Sequence, residues 1–235
     1  MKRMICFGDS NTFGYDAGSR LGRQLEEKER WPEVFADVTG WDIVNEGMNG
    51  REIPEGWFLE RFDRILEEDA PADILAVMLG TNDILNSFRP DAREVGKKME
   101  AFLRHALSHP QIGGDGSRIL LIVPAAIDIG RYGEDEAVFD REIKTLGPVY
   151  GGVAQRLGVQ LADTSDWEIP LAHDGVHWTG EGHQMFARKL SEELGFGRQS
   201  NKDACDILPE KEKEIKKQGR RDANGTGILL RTDEP

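Results

Sequence analysis

Four short segments of the chain carry side chains that could perform acyl transfer together. Gly8-Asp9-Ser10-Asn11 presents a serine in a turn directly after an apolar run, Met4–Phe7. A serine hydroxyl is a weak nucleophile and needs an adjacent base, itself oriented by a third group. Asp174-Gly175-Val176-His177 supplies both near the other end of the chain. Across the glycine, Asp174 can accept from one ring nitrogen of His177, leaving the other to take the proton of Ser10. The reaction also needs donors aimed at the oxyanion that develops on the carbonyl. The backbone N–H groups of Ser10 and Gly50 are candidates, as is the side-chain amide of Asn82 in Gly80-Thr81-Asn82-Asp83. Taken singly, Gly-Asp-Ser and Asp-Gly are ordinary turns, and such an asparagine is more often a turn former or helix cap. Their conjunction points to Ser10, His177 and Asp174 as catalytic residues.

Such side chains must be brought together by elements that lie far apart in the sequence. Met4–Phe7, Ile43–Val44, Ile74–Leu79 and Ile119–Val123 read as buried strands, apolar on both faces, with Val159–Ala162 a weaker fifth. Helical spacing separates them. Trp57, Phe58, Phe62, Ile65 and Leu66 share one face, as do Val95, Met99, Phe102, Leu103 and Ala106. Trp31-Pro32 opens a short helix. Glu136–Leu157 is helical with a kink or break expected at Gly147-Pro148, and a last helix begins at a Thr179 cap and buries Phe186 and Leu190. Strand alternating with helix is the pattern of an α/β sandwich with right-handed crossovers. In such a fold the site forms beyond the carboxyl ends of the strands, where all four segments fall.

These segments, in this order, resemble the sequence blocks of the SGNH family of GDSL-type esterases and lipases, over roughly residues 3–195. The blocks are Gly8-Asp9-Ser10-Asn11-Thr12-Phe13-Gly14, Asn45-Glu46-Gly47-Met48-Asn49-Gly50, Gly80-Thr81-Asn82-Asp83 and Asp174-Gly175-Val176-His177. The resemblance implies a three-layer α/β/α sandwich with a five-stranded parallel sheet in flavodoxin-like order 2-1-3-4-5. It makes Ser10 the nucleophile, His177 the general base and then acid, Asp174 its orienting partner, and Ser10, Gly50 and Asn82 the oxyanion hole. Gly50 is preferred to Gly47 from its place in the second block, and Asn11 stands where the name-giving motif has leucine. The closer likeness is to intracellular aryl-esterase or acyltransferase members, through Cys6-Phe7-Gly8-Asp9-Ser10, Glu46-Gly47 and Met78–Asp83. Expected substrates are short-chain, acetyl-type esters of small alcohols or carbohydrates, with acyl transfer to alcohols alongside hydrolysis. A homo-oligomer fits the same relatives. Tyr15 and Trp178 are expected beside the substrate, and residues 14–30, with Arg20, Arg23, Lys28 and Arg30, over the pocket as a rim or at an oligomer contact.

Composition limits the other readings. The formal charge of −13 argues against nucleic acid and anionic membrane surfaces as partners. No apolar stretch approaches a bilayer span, and the segment after Met1-Lys2-Arg3 is too short for a signal peptide, so a cytoplasmic setting is expected. Cys6 and Cys205 form no disulfide framework, and Cys6 is expected to be a buried thiol. His173, His177 and His183 lie close in sequence, but glycines 175, 180 and 182 make the segment a loop rather than a metal-binding helix face. No metal or cofactor is expected, and His173 and His183 are placed at the surface or around the site. Gly113-Gly114-Asp115-Gly116 precedes a strand and reads as a turn, without a phosphate-cradling role. Residues 1–197 make the hydrolase domain; residues 198–235 hold nine basic and eight acidic residues and no aromatic one, and read as a disordered tail. Subtracting the tail's +1 leaves −14 on the domain. A non-catalytic carbohydrate- or nucleotide-binding module is the alternative on this scaffold. No phosphate loop follows the first strand, and every catalytic position holds a competent residue.

Overall fold

A strand with apolar side chains on both faces has to be covered on both. In the computed structural model, which describes residues 1–19, 21–69 and 71–196, β1 (Arg3–Gly8) is such a strand. It leads into the single-turn helix α1 (Ser10–Phe13), then α2 (Trp31–Thr39), β2 (Asp42–Gly47) and α3 (Phe58–Glu68). β3 (Ile74–Met78), α4 (Thr81–Leu85), α5 (Ala92–Ser108) and β4 (Ile119–Ile122) follow, and α6 (Ala137–Leu157), β5 (Gln160–Ala162) and α7 (Gly180–Glu193) complete the order. The five strands are parallel and run β2-β1-β3-β4-β5.

Alternation along the strands divides the interior into two cores. Ile5, Phe7, Leu75, Val77 and Leu121 point to one face, where they meet Phe62 of α3, Phe102 of α5 and Tyr150 of α6. Met4, Cys6, Ala76, Met78, Leu120 and Ile122 point to the other, against Phe35 of α2 and Phe186 and Leu190 of α7. Cys6 is a buried thiol, and burial pushes its pKa above the ordinary range. The sandwich therefore has three layers with β1 beside the centre of the sheet. The order places β1 between β2 and β3, so the loops following all three are neighbours.

Three elements differ from the sequence expectation. β2 runs on to Gly47, because Asn45, Glu46 and Gly47 keep backbone register with Cys6, Phe7 and Gly8 although their side chains are polar. α6 continues unbroken through Gly147-Pro148. Ile143, Leu146, Tyr150 and Val153 are buried on both sides of the proline and hold the helix in place, while Pro148 itself is exposed. α3 buries Phe62, Ile65 and Leu66, whereas Trp57 and Phe58 at its start are 66% and 45% exposed and stack on each other at 4.0 Å. The second expected apolar face is buried throughout on α5. Thr179 caps α7, its Oγ1 accepting the Gly182 N–H at 3.1 Å. The boundary at Gly197 and the tail with Cys205 lie outside the described residues. No helix among those described is long and apolar enough to cross a membrane.

Candidate active site

Ser10 is the first residue of α1, directly beyond the carboxyl end of β1. Asp9 caps this turn, its Oδ1 accepting the Asn11 N–H at 2.9 Å. The first N–H groups of a helix have no partner within it, so the Ser10 N–H remains a donor. Ser10 Oγ lies 3.0 Å from Nε2 of His177, and His177 Nδ1 lies 2.7 Å from Asp174 Oδ2. Asp174 Oδ1 also accepts the backbone N–H groups of Val176 and His177, each at 3.0 Å. That turn fixes the carboxylate against the imidazole. With Nδ1–H donated to Asp174, Nε2 is the acceptor for the Ser10 hydroxyl. Burial alone would raise the Asp174 pKa, but the hydrogen bonds from His177 and Val176 outweigh it and hold the carboxyl below its ordinary value. Asp174 is thus ionised when His177 takes a proton.

The histidine loop is held from several sides. Ala172 N–H bonds His177 O at 2.7 Å, and Leu171 pairs with Trp178 as an antiparallel bridge. Arg131 donates to the carbonyls of Ala172 and His173. Asn11, the neighbour of the nucleophile, makes the direct link: its Nδ2 donates to Val176 O at 3.2 Å and its Oδ1 accepts Trp178 N–H at 3.0 Å. One buried amide therefore grips the peptide groups on both sides of His177.

The oxyanion donors are arranged on the loops after β2 and β3. Gly47 N–H is already donated to Asn45 Oδ1 at 3.0 Å, so it is unavailable. Gly50 N–H has no acceptor among the described residues, and its φ of +71° is the left-handed conformation that glycine adopts without strain. Asn82 Nδ2 donates to Arg51 O at 3.0 Å, which places its amide against the Arg51-Glu52 peptide, one unit beyond Gly50, with a second N–H to spare. Gly80, with φ of +121°, starts the α4 turn that carries Asn82, and a side chain there would collide with the Tyr150 hydroxyl.

Two further residues bind this loop to the nucleophile strand. Arg51 is 6% exposed; its Nη1 donates to Gly8 O at 3.0 Å and to Glu46 O, and its guanidinium lies 4.0 Å from the centre of the Phe7 ring. Burial lowers its pKa to about 10, which leaves it charged at neutral pH. Asp83 accepts Ile53 N–H at 3.0 Å and the Lys98 ammonium at 3.3 Å, pinning the loop to α4. Asp9 is buried, and desolvation raises its pKa to about 6 against the opposing pull of the Asn11 N–H, His177 and Arg51.

The roles of Asn11, Arg51 and Asp83 are not among the sequence expectations. The one signal for Asn11 was its departure from the leucine of the motif. Tyr15 does lie at the site, its ring 4.5 Å from that of His177. Trp178 does not: it is 3% exposed and packs on His183 and Phe186 in the core. Successive side chains of an extended segment face opposite ways, so with His177 turned to Ser10 its neighbour is turned inward. His183 is likewise a core residue rather than a surface one. Its Nδ1 accepts Trp31 N–H at 3.3 Å, and burial lowers its pKa to about 3. His173 is exposed. Arg30, expected at the rim, is 8% exposed and paired with Glu33 at 3.2 Å. Tyr15 and Gln24 form a bridge that folds the segment after α1 back on itself; Arg20 lies outside the described residues. Among the described residues no group of three or more His, Cys, Asp or Glu side chains could hold a metal.

Comparison with known proteins bears on the family and the fold. The model of the GDSL-like lipase/acylhydrolase family matches residues 6–185. A carbohydrate acetylesterase family member from Sinorhizobium meliloti superposes with a TM-score of 0.69 at 25% identity, covering 83% of this chain and 97% of its own. The native aryl esterase of M. smegmatis gives 0.68 at 22% identity, with 83% and 98% covered. A lipase/acylhydrolase from Enterococcus faecalis gives 0.63 at 20%, with 84% and 97% covered. No curated protein matches the chain in sequence.

Proposed function

Because the chain belongs to the GDSL-like lipase/acylhydrolase family, and so hydrolyses carboxylic esters, we propose that it does so through an acyl-serine intermediate on Ser10. The observation that carries this reading is the continuous hydrogen-bonded line from Ser10 Oγ through both nitrogens of His177 to Asp174. Ser10 Oγ attacks the ester carbonyl as its proton passes to His177 Nε2. The imidazolium is stabilised by the Asp174 carboxylate. The carbonyl oxygen takes up negative charge against the N–H groups of Ser10 and Gly50 and the amide of Asn82. His177 then protonates the departing alcohol, leaving an acyl group on Ser10. Water, activated by the same imidazole, releases the acid; a second alcohol in its place receives the acyl group instead. Nothing in these steps calls for a cofactor.

The substrates proposed are short-chain, acetyl-type esters of small alcohols or carbohydrates. The likeness to the Sinorhizobium meliloti carbohydrate acetylesterase family member supports that class. A fluorophosphonate that mimics the tetrahedral intermediate tests the mechanism. It should label one residue, Ser10, with loss of p-nitrophenyl acetate hydrolysis in step with labelling. Labelling elsewhere, or activity that survives full labelling of Ser10, would contradict it.

A further inference from the structure

A cleft among the described residues borders the Gly50 loop, and His177 is not among its lining residues. It has a volume of about 580 Å³, within the range of small-molecule sites. Its inner walls are the buried Phe7, Ile53, Phe62 and Ile65. Trp57 and Phe58 line it as well, stacked on each other and exposed, a contiguous apolar surface of the kind that marks ligand-binding grooves. The cleft joins the machinery already described, because Met48, Gly50 and Arg51 are also among its lining residues. Met48 N–H and the Arg51 guanidinium are both bonded to Gly8 O, two residues before the nucleophile.

The chemistry of the tetrahedral intermediate sets which part of an ester faces this cleft. The departing oxygen has to sit at His177 Nε2, beside Tyr15, to receive its proton. The oxyanion has to sit at the donors of Gly50 and Asn82. The carbon substituent of the acyl group is then the part left to enter the cleft that Gly50 and Arg51 line.

We propose that this cleft is the acyl-binding pocket and that it takes apolar acyl groups larger than acetyl, such as a hexanoyl chain. The proposal rests on the esterase reading above and refines its substrate class: acetyl is turned over, and a longer saturated chain is preferred. An apolar wall of Phe7, Ile53, Phe62 and Ile65 gains from each methylene it covers. Ile65 stands at the depth of the cleft on α3, and Trp57 at its edge, so the two report on different parts of a bound chain.

The ratio of kcat/KM for p-nitrophenyl hexanoate to that for p-nitrophenyl acetate tests this, since a ratio cancels differences in active fraction. In the wild-type protein the hexanoate should be favoured by about tenfold or more. Ile65→Trp, which fills the cleft, should erase that preference. Trp57→Ala alters an exposed residue that the fold does not depend on, and should lower the ratio severalfold. A wild-type ratio at or below one would overturn the proposal, as would a ratio unchanged in Trp57→Ala and in folded Ile65→Trp. Failure of the wild-type protein to hydrolyse either ester would instead overturn the esterase reading beneath it.

Discussion

At the scale of single residues, the site divides into groups that react and groups that hold them. Asn11 belongs to the second kind. Its amide satisfies the part-buried Val176 carbonyl and the buried Trp178 N–H, so a leucine of similar size would leave both unpaired and free the His177 loop. Asn11→Leu is expected to lower kcat by about tenfold or more with KM little changed, and to shift the acidic limb of the pH–rate profile; equal loss in both parameters with an unmoved profile would make it a purely structural residue. Asp9 gives a pH-dependent term. Its folded pKa of about 6 stands above the ordinary 3.8, so its contribution to stability is complete below pH about 4 and is lost as pH rises through about 6. Asparagine at this position can still cap α1. Asp9→Asn should therefore be the more stable protein at pH 7, by the order of 3 kcal/mol, with the margin closing near pH 4. Urea unfolding at the two pH values measures it, and an equal margin at both would contradict the assignment. Ser10, His177 and Asp174 were legible in the sequence because nucleophilic catalysis demands those residue types in a recognisable order. Asn11 was not, because its partners are backbone groups some 165 positions away, which no side-chain motif encodes.

At the scale of elements, apolar runs located all five strands, since a buried parallel strand has no polar face to obscure it. The bounds of β2 were missed where pairing is carried by the backbone of Asn45 and Glu46. α6 shows the reverse error. A proline inside a helix costs about 3 kcal/mol, and that local cost argued for a break. The buried row Ile143, Leu146, Tyr150 and Val153 outweighs it. Pro148→Ala should therefore raise the unfolding free energy, by about 2 kcal/mol once the larger entropy of the unfolded alanine chain is subtracted. A fall in stability would show instead that the proline is needed where it stands. The misplacement of Trp178 has the same origin: sequence proximity to His177 says nothing of which side of the chain a residue faces.

At the scale of the whole molecule, the acidity read first from composition bears on substrate choice. A chain of net charge −13 repels anionic ligands at long range and is indifferent to neutral ones, which suits uncharged esters. The parallel order of the sheet does the rest, because it brings the loops after β1, β2 and β3 to one edge, where the histidine loop from the other end of the chain closes on Ser10. That convergence is what makes Ser10 a nucleophile. The most direct test compares p-nitrophenyl acetate hydrolysis by the wild-type protein and by Ser10→Ala, with melting temperature as the control for folding. A loss of at least about a thousandfold in kcat/KM at an unchanged melting temperature is expected. A folded Ser10→Ala protein that retained the wild-type rate would contradict that role.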